Sequence, residues 1–428
     1  MRQASLVGFD TIIASGIDEN LDSHLLRAPK YTYTLAQVCQ RLSSGKSITA
    51  ADIQDSGEYP VYGANGVRGY ASVSNFKGEC AIIGRQGAYC GNVHYFSGEA
   101  YMSEHAVVAH PNELADARYL AYLLSLMDLS RLQGQSAQPG LSVQTLAKQN
   151  IQLPDIATQQ RIGNLLGVLD KKIELNRQLN DNLEAMAQAL YDYWFVQFDF
   201  PDEIGMPYKS SGGKMVWNEQ LKREIPEGWE VKQIREVADT CLGGTPVTNI
   251  REYWDGGNIP WISSGDLTSN PLLQVSDYIT QKGLNNSAAK LMPKGTVVVS
   301  LVRYIRPSIL GIDAAGNQSV VGIFANKILP TCFLYPYVKS EVPRLMGLRT
   351  GAQQPHINKE VIDSSFIVLP DNVSIMGQYQ NKALGIYEKL LCVAKERESL
   401  TKQRDFLLPL LMNGQVQVRP LNYRLTAD

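Results

Sequence analysis

The sequence predicts an α+β protein: two homologous α/β modules separated by two long helices that form an antiparallel coiled coil, giving an internal repeat with a pseudo-two-fold axis. Three observations predict it. The stretch Gln138–Asp155, QPGLSVQTLAKQNIQLPD, recurs at Gln354–Asp371 as QPHINKEVIDSSFIVLPD, with an ungapped offset of 216 residues from Gln138 to Gln354. Each copy then opens into a long run of helical periodicity. Further landmarks recur upstream in the same order, which makes the duplication the first feature to settle.

Taken in order, residues 1–30 form an N-terminal leader of no assigned role, and residues 31–154 the first module. Within it TLAQVCQRLSSGKSIT (Thr34–Thr49) resembles QIREVADTCLGGTPVT (Gln233–Thr248), a short amphipathic segment followed by a glycine-containing loop. YPVYGANG (Tyr59–Gly66) faces IPWISSGD (Ile259–Asp266), and KGECAIIGR (Lys77–Arg85) faces KGTVVVSLVR (Lys294–Arg303), each of the last pair reading as a turn, a buried strand and an exit arginine. Residues 155–198 form the central helix, with Asp155 as its cap. Apolar residues at Ile162, Leu166, Leu169 and Ile173, then Leu179, Leu183, Met186 and Leu190, follow 4–3 spacing, and Asn176 falls on the seam between the two blocks. A polar linker spans 199–228, and the second module 229–370. A C-terminal helix follows at 371–414, with Leu384, Tyr387, Leu391 and Ala394 on one face, later joined by Leu400 and Leu407, and then a tail at 415–428. At 1.5 Å per residue a 40-residue helix is roughly 60 Å long. A stripe of that length needs an equally long partner, which the other helix supplies.

Composition narrows the functional class. At 428 residues the chain exceeds one core, and its 44% hydrophobic and 19% charged content is that of a soluble protein. No apolar run approaches the ~20 residues of a membrane span, the first residues do not read as a signal peptide, and the six cysteines show no pairing logic. The expected location is cytoplasmic. A formal charge of −2 means that a nucleic-acid binder of this composition has to gather its cations on one face.

No active site is legible. SSGKS at Ser43–Ser47 lacks the glycine that a phosphate-binding loop needs, having Gln40 there, and reads as a turn. IGRQGAYCGN (Ile83–Asn92) does not match a dinucleotide fingerprint, and the chain has no Pro-Pro dipeptide of the kind an adenine methyltransferase uses around a flipped base. Pro201-Asp202 and Glu230-Val231-Lys232 are a poor match to a nuclease carboxylate set. His94, His105 and His110 lack partners at metal spacing. No catalytic residue, metal or cofactor site is expected in this chain.

Together, YPVYGANGVRGY with IIGRQGAYCGNV, LPDIATQQRIGNLLGVLDKKIELNRQLNDNLEAMAQALYDYWFVQFD, and IPEGWEV with IPWISSGDL resemble the DNA-specificity subunit of type I restriction–modification systems, from about Tyr31 to Val418. The helix carries the most specific wording, in Gln159-Gln160-Arg161-Ile162, in Leu169-Asp170 with Lys172-Ile173-Glu174-Leu175-Asn176-Arg177, and in Trp194-Phe195; the second helix keeps only the periodicity. The resemblance implies that each module is a target-recognition domain reading one half of a bipartite, asymmetric site in double-stranded DNA. It further implies that the helices set the half-site spacing and dock two modification subunits, which carry S-adenosylmethionine and methylate adenine at N6. Separate restriction subunits with ATP, Mg²⁺ and translocase and nuclease activity complete the complex.

Base contacts are expected from loop arginine, asparagine, glutamine and serine, since arginine fits guanine and asparagine or glutamine fits adenine bidentately. The candidates are Tyr62, Asn65, Arg68, Arg85, Gln86 and Asn92 in the first module and Ser263, Ser264, Arg303, Tyr304 and Arg306 in the second. Arg85 and Arg303 lead, as the arginines that leave the matched strand. Lys46, Lys77, Lys282 and Lys294 are candidate phosphate contacts, and Gln138 and Gln354 are expected to hold the turn into LPD. The competing reading is a two-domain protein–protein scaffold that acts through its helices and never touches DNA.

Overall fold

The computed structural model describes residues 29–133 and 140–418. It divides into two compact units, Met1–Lys172 with Leu400–Asp428, and Ile173–Ser399. Most of the predicted leader and the end of the tail, together with Gln138, lie outside the described residues.

In the first unit the chain runs through β1 (Tyr31–Thr34), β2 (Cys39–Ser44), β3 (Tyr59–Gly63), β4 (Gly66–Ala71), β5 (Phe76–Gly84), β6 (Val93–Met102) and β7 (Ala106–Pro111), then α1 (Ala117–Ser125), α2 (Val143–Ala147) and β8 (Asn150–Leu153). Six strands form one sheet in the order β2-β7-β5-β6-β3-β4. β5 is its axis. Ala81, Ile82 and Ile83 are fully buried, as a central strand covered on both faces requires. β1 pairs antiparallel with β8, Tyr31 opposite Leu153, so the strand that opens the module is joined to the one that ends it.

Pro154 ends β8 and Asp155 starts α3 (Ile156–Tyr191), its Oδ1 accepting the Thr158 amide at 2.9 Å. Gln159, only 1% exposed, fastens the helix to the module: its Oε1 accepts from the Asp116 amide at 3.0 Å, and its Nε2 donates to the carbonyls of Leu114 and Pro154. Further along, Asp170 takes a hydrogen bond from the Tyr122 hydroxyl of α1 and one from Arg404 Nη1 at 3.0 Å. Burial and the neighbouring carboxylate both push the Tyr122 hydroxyl well above its usual pKa, so it stays a donor.

The second unit repeats the plan. β11 (Glu230–Gln233) pairs antiparallel with β20 (Phe366–Leu369), as β1 does with β8. A capping box follows the opening strand in both units, Thr34 with Gln37 and Gln233 with Glu236. β12 (Thr240–Leu242), β19 (Val320–Ile323), β16 (Val297–Ser300) and β17 (Pro307–Ile309) form a sheet in that order, matching β2-β7-β5-β6. A second sheet has the order β14 (Asp277–Ile279), β13 (Ile259–Ile262), β18 (Ala314–Gly316), β15 (Leu291–Met292). One six-stranded sheet has become two of four because the counterpart of β6 is broken: Leu310–Asp313 interrupts it, leaving β17 in one sheet and β18 in the other. The parallel pairing of β3 with β6 survives as that of β13 with β18. After the short helices α4 (Ile234–Val237) and α5 (Gln281–Asn285), α6 (Thr331–Gly347) and α7 (Lys359–Asp363) stand where α1 and α2 do, and α8 (Val373–Met412) follows β20. Asp371 does not cap α8; Asn372 takes that place, accepting the Ser374 amide.

The segment 199–228 is more than a polar linker. It carries the hairpin β9 (Met215–Asn218) and β10 (Arg223–Pro226), and Phe198, Phe200 and Ile225 are buried. With Trp229 and the exit residue Phe195 they extend an aromatic core in which Phe195 meets Phe333 at 4.7 Å and Tyr379 at 4.9 Å.

The seam of α3 runs through Ile162, Leu166 and Leu169 and continues in 4–3 steps through Ile173, Asn176, Asn180, Leu183 and Ala187. Leu179 and Met186, expected on it, are 37% and 56% exposed. Each stands one residue, about 100° of helix, away from the position the heptad reaches. Leu384 on α8 is likewise exposed, and Leu390 and Val393 take the inner face instead. In the second unit the helices run antiparallel: Asn176 Nδ2 meets Glu396 at 3.0 Å, while Leu183 packs on Leu390 and Val393. No helix among the described residues is long and apolar enough to cross a membrane.

Candidate nucleic-acid interface

Backbone hydrogen bonds draw four loops of the first unit to one end of its sheet. The Lys46 amide donates to Met102 O at 2.9 Å, the Ser103 amide to Tyr62 O at 3.0 Å, and the Arg85 amide to His105 O at 2.9 Å. The loop after β2, the β3–β4 turn, the loop after β5 and the β6–β7 turn are thereby stapled together. Gly45 is needed for this approach, since a Cβ there would lie 2.1 Å from Met102 O. SSGKS is thus the end of β2 followed by a backbone crossing in which Lys46 bridges Ser103, in place of the expected turn.

Lys46, Asn65, Arg85, Gln86 and Asn92 belong to these loops, Arg68 stands on β4 just past the β3–β4 turn, and all reach solvent. The guanidinium groups of Arg68 and Arg85 make no hydrogen bond or ion pair among the described residues. Gln86 Oε1 lies 3.1 Å from His105 Nδ1. Tyr62 is different: its ring turns inward and meets Phe96 edge-on at 5.0 Å, and burial raises its pKa. Lys77 sits at the start of β5 and pairs with Glu99 at 3.1 Å, two residues after Asn75, whose side chain is hydrogen-bonded to the Met102 backbone. Sequence reasoning passed over Tyr89, 47% exposed within the 3₁₀ turn Gly87–Tyr89, although its glycine-flanked loop was quoted. It also gave His105 no part in this loop cluster.

The second unit makes the same staples. The Gly244 amide donates to Gly316 O at 2.7 Å, Asn317 to Ile262 O at 2.8 Å, and Leu301 to Ser319 O at 2.9 Å. Ser264, Arg303, Tyr304 and Arg306 lie on these loops, with Tyr304 60% exposed and Arg306 5.2 Å from its ring centroid. Ser263 is occupied in closing its own loop: its amide and hydroxyl both reach Asp266 Oδ2, at 2.8 and 2.7 Å. Burial alone would raise the Asp266 carboxyl, but hydrogen bonds from Ser263 and Ser276 outweigh it and hold the pKa below its ordinary value. Lys282 is held by Glu252, which raises its pKa, and Lys294 precedes β16 at the end away from Arg303. Arg349, which carried no sequence signal, braces the loop by donating to the Arg303 carbonyl.

These staples also correct the match between the two arginines. Arg85 and Leu301 make the same ladder hydrogen bond, so Leu301 is the counterpart of Arg85. Gln86 bridges Gly140 as Val302 bridges His356, and the position after each is in the left-handed region: Gly87 at φ 75° and Arg303 at φ 61°. Arg303 therefore corresponds to Gly87, two residues beyond Arg85. Gln354 and Pro355 pack beside it, the Arg303 amide donating to Pro355 O at 2.7 Å.

Two modules of one topology, each with a loop-bearing sheet end and a long helix, define a duplicated recognition protein. A family model, the type I restriction modification DNA specificity domain, matches residues 30–185 and again 226–389. The chain belongs to this family. It is 27% identical over 329 residues to the HindI specificity subunit of Haemophilus influenzae, covering 65% of this chain and 71% of that one. It is 25% identical over 321 residues to the MjaIX specificity subunit of Methanocaldococcus jannaschii, covering 73% and 72%. The crystal structure of a type I restriction–modification S subunit from M. genitalium superposes with a TM-score of 0.60 at 15% identity, covering 93% of this chain and 98% of that one.

Proposed function

We propose that the chain is the non-catalytic, sequence-specific DNA-binding subunit of a type I restriction–modification complex, each module reading one half of a bipartite, asymmetric site. The observation that carries this reading is the loop-bearing sheet end, built twice by the same backbone staples and carrying guanidinium groups at Arg68, Arg85 and Arg303 that have no partner among the described residues. Arginine reads guanine bidentately, while Lys46 contributes phosphate contact. The helices act as a spacer, because half-sites read from one side of a duplex must lie about one helical turn apart, ~34 Å. They dock two modification subunits, which bind S-adenosylmethionine and methylate adenine at N6; restriction subunits add ATP- and Mg²⁺-dependent translocation and cleavage.

Methylome sequencing of a host expressing this chain with its modification subunit tests the proposal. The expected result is a single split motif of two half-sites with a fixed gap. Absence of any motif, together with no specific duplex shift by the assembled complex, would favour the DNA-independent scaffold.

A further inference from the structure

We infer that Glu184 is a positioning residue that fixes the second module's reading loop to the central helix, so that it selects half-site spacing rather than base identity; this rests on the function proposed above. The Glu184 side chain is 16% exposed and receives four hydrogen bonds. Asn180 Nδ2 at 3.2 Å and Asn270 Nδ2 at 3.1 Å reach Oε1, while the Tyr335 hydroxyl at 3.0 Å and Lys339 Nζ at 2.9 Å reach Oε2. A carboxylate offers about four acceptor sites, and all are filled.

The donors come from three segments: α3 itself, the loop before β14, and α6. Asn270, 8% exposed, passes the connection on, because its Oδ1 accepts the Ile309 amide of β17 at 2.9 Å. Ser308 of the same strand donates to Ser269 O at 2.8 Å. β17 begins immediately after Arg303–Arg306, and Glu184, Asn270, Arg306, Tyr335 and Lys339 line one pocket. Two hydrogen bonds therefore lead from the spacer helix to the strand that carries the loop.

A well-packed apolar side chain would hold a helix against a module at least as firmly as a half-desolvated carboxylate. What the carboxylate adds is direction, since donors from three segments fix rotation as well as distance. Asn180 carries the cost of this arrangement: its Nδ2 faces Glu184 while its Oδ1 is buried without a partner among the described residues.

The test uses the assembled methyltransferase with Glu184→Ala, Glu184→Gln and Tyr335→Phe, the last removing one hydroxyl while leaving the ring to pack. One base pair is about 3.4 Å of rise and about 35° of turn, so modest freedom at this joint admits neighbouring spacings. The expected methylome keeps both half-sites and adds methylation at gaps one base pair shorter and longer, most in Glu184→Ala and least in Tyr335→Phe. Glu174→Ala, which removes only exposed contacts with Arg177 and Gln178 on the same helix, keeps one gap. A bipartite wild-type target with a single gap in every Glu184 and Tyr335 variant overturns this inference alone, as do altered half-site bases. A wild-type complex with no bipartite target overturns the proposed function and this inference with it.

Discussion

Replacing Gln159 by leucine, with Gln160→Leu beside it as the control, measures how firmly the central helix is fastened to the first module. Gln159 is 1% exposed, and its side-chain amide answers the Asp116 amide and the carbonyls of Leu114 and Pro154. Leucine fills a similar volume but strands all three groups. A fully buried orphan costs about 1–3 kcal/mol, and only the Pro154 contact lies wholly inside, so the expected loss is about 2–4 kcal/mol. Gln160 is exposed, and its replacement should cost less than about 0.5 kcal/mol. All five tryptophans, at 194, 217, 229, 254 and 261, lie in the Ile173–Ser399 unit, so tryptophan fluorescence during urea unfolding monitors that unit as an internal control. Hydrogen-exchange mass spectrometry of Leu114–Tyr119 reads the first unit. Gln159→Leu should speed exchange there roughly 30- to 900-fold, and Gln160→Leu no more than about twofold. Equal exchange in the two variants would refute the fastening role.

Arg85→Ala in the assembled complex should weaken specific binding by about 1–3 kcal/mol and relax one base, whereas Lys77→Ala, its charge already paired with Glu99, should change neither affinity nor salt slope; titrations at several salt concentrations distinguish them. Arg303→Gly relieves a left-handed residue and should raise stability to urea by up to about 1 kcal/mol while lowering affinity, and Gly87→Arg should lower stability by about the same amount. Because the folded Asp266 carboxyl lies below its ordinary value of 3.8, its stabilising contribution is complete above that pH and is lost as pH falls through the folded value. Asp266→Asn should therefore flatten the acid limb of an unfolding-midpoint-against-pH curve and leave its slope near neutrality unchanged.

What could be read from the residues alone was local chemistry. Ile-x-Leu-Pro-Asp spells strand and stop in both copies and a cap in the first, and both strands ending in LPD pair with the strand that opens their module. What could not be read was made by distant backbone. The staple between Lys46 and Met102 leaves no side-chain signature, so the gathering of four loops at one sheet end was invisible. Residue identity misled where ladder geometry decides: Arg85 and Arg303 look alike yet stand two positions apart. On α3, Leu179 and Met186 drew the eye because they are apolar, while the heptad placed Asn180 and Ala187 inward. The linker looked polar because its few aromatics, Phe200, Tyr208 and Trp217, are outnumbered by polar residues.

The staples at the sheet ends are main chain to main chain, and the paired positions hold unlike residues: Lys46 and Gly244, Tyr62 and Ile262, Arg85 and Leu301. Apart from Gly45 and Gly243, where a Cβ would strike the facing carbonyl, a frame fastened by amides and carbonyls is indifferent to what its side chains say. Within this one polypeptide the same bracket already displays two different alphabets. Such a bracket lets the loops be rewritten by ordinary point mutation, each new spelling inheriting a scaffold that does not have to be re-solved.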